Sequence, residues 1–90
     1  MKHEELVLEL EALATQLGIT IRYEKGDFEG GYCILRAQQL LLINKRLTPA
    51  RKASLLAIAL EEIGVENTFV KPALRAFIED EARKAERRAS

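Results

Sequence analysis

Few residues in this chain could carry chemistry. It has one histidine, His3, and one cysteine, Cys33. The cysteine stands in EGGYC (29–33), beside a glycine pair. Such a stretch could hold a reactive thiol, or a loop that brings backbone donors to an anion. A nucleophilic thiol needs a base, and none is near in sequence. A phosphate-cradling loop needs a lysine at fixed spacing and a helix opening behind it, and neither follows. The residues are better read as structure: Cys33 as a small buried hydrophobe, and Gly30–Gly31 as a bulge or bend where another backbone passes close. Thiol-dependent activity at Cys33 is the one enzymatic alternative that remains.

Metal catalysis fares no better. A catalytic zinc takes three protein ligands in fixed geometry, usually including neutral imidazoles. Glu61 and Glu62 are adjacent, so on a helix their side chains diverge by about 100° and cannot chelate together. No catalytic residue, metal ligand or cofactor is assigned.

Basic residues gather in NKR with ARK (44–52) and in RKAERR (83–88). Lys45, Arg46, Arg51 and Lys52 fall at the amino end of a helix, where dipole and side chains together would welcome an anion. They form the candidate anion-binding or nucleic-acid-binding group. The whole chain gives that reading little support: 14 basic residues balance 14 acidic ones, and the few aromatics are wanted by the core. A nucleic-acid partner is therefore not expected.

At 90 residues, 48% apolar and 31% charged, the composition is that of one globular domain. A core of this size buries only about 60–65% of the unfolded surface, so association with another chain would help it. A single cysteine allows no internal disulfide and fits a reducing, cytoplasmic setting. Glutamates interrupt the N-terminal apolar residues every few positions, unlike a signal peptide, and no apolar run approaches a membrane span.

The elements follow from periodicity. Leu6, Leu10, Leu13 and Leu17 form one stripe of an amphipathic helix that Gly18 ends. ITIRYEK (19–25) alternates as a half-buried strand, GDFEGG (26–31) is a turn, and YCILR (32–36) and LLLIN (40–44) read as further strands. Leu40 to Ile43 are apolar on both faces, which predicts cover on both sides. Short links make an antiparallel meander the economical arrangement. Thr48 caps a helix that opens on Pro49 and stops at Gly64, and Pro72 opens a last helix. VENTFV (65–70) is a connection or a fourth, edge strand. The expectation is an α+β domain over 1–82 in the order α-β-β-β-α-α, with a small antiparallel sheet, and a charged tail over 83–90 that frays.

The helix over 49–63 is apolar nearly all round. Ala53, Leu56, Leu60 and Ile63 share a face that can lie on the sheet, while Leu55 and Ile58 fall on the far side with Arg51 and Glu62. In so small a chain that far side is either covered by the last helix or left for a partner. The stretch LLLINKRLTPARKASLLAIALEEI resembles the strand–loop–helix of ImmA/IrrE-type metallopeptidases, in which an I-x-I-N strand leads into a helix carrying H-E-x-x-H. The two histidine positions correspond to Ile58 and Glu62 and the glutamate position to Ala59, so the zinc motif is absent. The chain also resembles short uncharacterised bacterial proteins with a GG-x-C hairpin before an INK strand, a likeness that implies no activity. The reading that follows is a non-enzymatic domain acting through protein contacts, as a homodimer, with Leu55, Ile58 and Glu62 as its candidate interface.

Overall fold

The computed structural model describes residues 1–89. Its elements run α1 (His3–Gln16), β1 (Thr20–Glu24), β2 (Gly30–Leu35), β3 (Gln38–Asn44), α2 (Pro49–Ile63) and α3 (Pro72–Ala89). Helix α1 buries Leu6, Leu10, Leu13 and Ala14, the stripe read from its spacing. It ends in a paired 6→1 and 5→2 hydrogen-bond closure: Ile19 N donates to Ala14 O at 2.9 Å and Gly18 N to Thr15 O at 3.0 Å. That closure needs a left-handed residue, and Gly18 supplies it with φ +78°.

The sheet is not the expected meander. Its order is β1-β3-β2, with β1 parallel to β3 and β2 antiparallel to it. The third strand thus inserts between the first two and splits what would have been a hairpin. Apolar demand explains the order, because LLLIN is the most hydrophobic strand and takes the one position with a neighbour on each edge. Leu41 and Ile43 enter the core at 2% and 1% exposure. Leu40 and Leu42 point to the opposite face, outside the core cluster, so β3 is covered by helices on one side only. On that second face Leu40 is nonetheless buried, flanked in register by Thr20 and Cys33.

Asn44 makes the insertion possible. The 25–29 connection crosses the end of β3, and the buried Asn44 side chain holds it from below. Nδ2 donates to Gly26 O at 2.8 Å and to Phe28 O at 2.7 Å, while Oδ1 accepts from Arg46 N at 3.0 Å. Gly30 is the second requirement. Its φ is +145°, and a Cβ there would sit 2.2 Å from Leu42 O, so the predicted close backbone approach is real. Gly31 has open space around it. Strands β2 and β3 are joined by a two-residue turn at Arg36 and Ala37, both at positive φ (53° and 66°).

Helix α2 has the predicted bounds and cap: Thr48 Oγ1 accepts from Arg51 N at 3.2 Å, and Pro49 opens the helix. It packs on the sheet, on α1 and on α3, and its Ala53, Leu56, Ala57 and Leu60 are wholly buried. Helix α3 packs chiefly on α2, lightly on α1 and not on the sheet, among the described residues. Residues 65–71 form no fourth strand; they make a turn closed by Thr68 N to Val65 O, and drop Val65 and Val70 into the core. The 83–89 part of the expected frayed tail is helical, the side chains of 83–88 are mostly exposed, and Ser90 lies outside the described residues. Ion pairs one turn apart support it there: Lys84 to Asp80 and to Glu81, both 3.1 Å, and Arg83 to Asp80, 3.3 Å. The Asp80 carboxyl is held below its ordinary range by hydrogen bonds from Lys84 first and Arg83 second. No helix among the described residues is long and apolar enough to cross a membrane.

Candidate functional site

The far side of α2 is where the core runs out. Leu55 and Ile58 are each partly exposed, and neither belongs to the core cluster nor packs against it. At about 100° per residue they share a stripe with Arg51 and Glu62. Ile58 and Glu62 also line an open groove of about 460 Å³ between α2 and α3, completed by Glu61, Ala82, Ala85 and Glu86. Its floor is apolar (Ile58, Ala82, Ala85) and its rim is acidic. Leu55 lies outside that groove. Ala85 falls beyond the point where the sequence pattern ends the core, since an isolated alanine among charges gives no periodic signal.

The basic cluster does not stay together as one site. Arg51 Nη2 is 2.6 Å from Glu29 Oε1, and Lys52 Nζ stands 5.4 Å above the ring of Tyr23. Two of the four cations are therefore engaged within the fold. Lys45 and Arg46 are exposed and make no ion pair among the described residues. Glu81, on the inner side of the last helix, pairs with Lys84 of that helix at 3.1 Å.

Cys33 is exposed rather than buried. The reason is topological: β2 is an edge strand, and the odd-numbered side chains Gly31, Cys33 and Leu35 point to the face without helices. The same edge strand carries some of the largest exposed apolar groups, Ile34 at 65% and Leu35 at 55%. The missed signal is that GGYCIL lacks the clean alternation of β1. Among the described residues no three of His, Cys, Asp and Glu gather into a group that could hold a metal.

One polar cluster ties the helices to the sheet. The partly buried Tyr23 hydroxyl donates to Glu11 Oε2, with Lys52 over the ring, so α1, β1 and α2 meet at one side chain. Burial first, then the hydrogen bond and the negative charge of Glu11, push the phenol well above its ordinary value of 10.0. A phenol so held keeps its proton and acts as a structural donor, not as a base.

Comparison with protein-family models, with curated proteins and with solved structures finds no match to this chain.

Proposed function

We propose that the protein is a small contact module without a reaction of its own, acting as a homodimer. The observation that carries this reading is the apolar surface left over once the core is complete: Leu55 and Ile58 on the outer stripe of α2 remain outside the core cluster. A net charge of zero places no global repulsion in the way of self-association. The chemistry-bearing residues give no rival set, since Cys33, His3 and the glutamates lie apart in the chain and form no metal-holding group among the described residues.

Sedimentation equilibrium of the wild type beside Leu55→Glu and Ile58→Glu tests the reading. Both side chains are partly exposed, so the monomer tolerates the change at a cost within about 1 kcal/mol. Dimerisation weakened by either variant supports the reading; a wild type that is monomeric throughout overturns it. The anion-binding reading retains only Lys45 and Arg46 as uncommitted cations, and it requires association with polyanions that weakens steeply with salt.

A further inference from the structure

Strand β2 sits at the edge of the sheet with the composition of a central strand. GGYCIL contains no charge and no proline, the usual devices by which exposed edges resist pairing. Its backbone directions follow from one bond: Asn44 N donates to Glu29 O at 2.9 Å. By alternation, residues 31, 33 and 35 bond β3, while Gly30, Tyr32 and Ile34 turn their N–H and C=O groups outward.

That outward pattern is symmetric about Tyr32. If a second copy approaches antiparallel with a two-fold axis at Tyr32, the two Tyr32 residues exchange both backbone bonds. Each Gly30 then meets the partner's Ile34, and every outward group of the three residues finds a complement. Charge favours the same arrangement. Glu29 leads into the strand and Arg36 leaves it, and Arg36 makes no ion pair within the chain among the described residues. With the axis at Tyr32, Arg36 stands opposite the partner's Phe28 and Glu29 opposite the partner's Leu35, so unlike charges come to the same end of the paired strands, whereas in-register parallel pairing would bring like charges together there.

We infer that two copies of the chain pair antiparallel along β2, with the two-fold axis at Tyr32, so that two three-stranded sheets become one continuous sheet. This rests on the homodimer reading and adds to the outer stripe of α2 a second contact, along β2. Cys33, the one cysteine of the chain, reports on it directly. With the axis at Tyr32, each Cys33 faces the partner's Gly31, and the two thiols lie diagonally on one face, their strand positions about 7–8 Å apart. That is too far for a direct disulfide and within reach of a short bis-maleimide.

The experiment combines light-scattering molar mass with bis-maleimide treatment of the native chain, Ile34→Pro and Ile34→Lys. Proline removes an outward N–H without touching the β3 ladder; lysine places a charge on an already exposed position. The inference expects a native dimer that cross-links efficiently through Cys33. It expects each variant to raise the dimer Kd about tenfold or more, with unchanged circular dichroism. Should the proline variant fail to fold, the lysine variant decides. A dimer that does not cross-link and is unmoved by Ile34→Lys overturns the edge pairing and leaves the homodimer reading standing. A monomer at all concentrations overturns both.

Discussion

The guanidinium of Arg51 closes on the carboxylate of Glu29 at 2.6 Å, tying the first turn of α2 to the residue that leads into β2. With both side chains at least a third exposed, the pair contributes no more than about 1 kcal/mol. It withdraws one cation from the basic cluster at the helix start.

Asn44 is the pin of the split hairpin, so its loss should be felt beyond its size. Asn44→Ala leaves two loop carbonyls and the Arg46 N–H without their partner, at a cost of about 2–4 kcal/mol. Asn44→Asp should be worse at neutral pH, because a carboxylate faces the Gly26 and Phe28 carbonyls without a proton to donate. Urea denaturation of the three proteins measures both differences.

The two adjacent glycines should separate cleanly. Gly30→Ala drives a Cβ into Leu42 O and strains a positive φ, costing about 2–3 kcal/mol or more. Gly31→Ala enters open space and should change stability by no more than about 0.5 kcal/mol. Thermal unfolding of the pair is the check.

Ala37 occupies a left-handed position in the β2–β3 turn. Ala37→Gly relieves it and should stabilise the fold by about 1 kcal/mol, net of the greater freedom of glycine in the unfolded chain. In a domain of this size that is a rise in Tm of roughly 4–8 °C.

Tyr23 gives the protein an alkaline limit. Its folded pKa is raised, so its contribution is fully present below the ordinary value of 10.0. Above that pH the unfolded chain releases the phenolic proton while the folded chain keeps it, and stability falls as pH rises further. Tyr23→Phe should cost about 1–2 kcal/mol at neutral pH and flatten this alkaline decline. Stability measured against pH for both proteins, with phenolate absorbance as the second readout, tests the sign.

Local signals carried much of the fold. The leucine stripe of α1, the Thr48–Pro49 start of α2, the stops at Gly18 and Gly64, and the opening of α3 at Pro72 all follow from side-chain spacing and backbone conformational limits. Strand order did not, because it turns on a non-local competition for the central place that short links alone do not reveal. Asn44 and Gly30 are visible as residues, yet their roles exist only once the 25–29 connection crosses β3. The same misplacement hid β2: with that strand at an edge, Cys33, read as buried, is at the surface, as are its neighbours Ile34 and Leu35. The outer stripe of α2 was legible, since a helix apolar nearly all round must face more than a small chain can cover.

The most direct test of the central claim is the molar mass of the unmodified chain by light scattering across a dilution series in moderate salt. Self-association through an apolar surface predicts twice the chain mass at tens of micromolar, falling toward the chain mass on dilution and little affected by added salt. A mass equal to one chain at every concentration would contradict it.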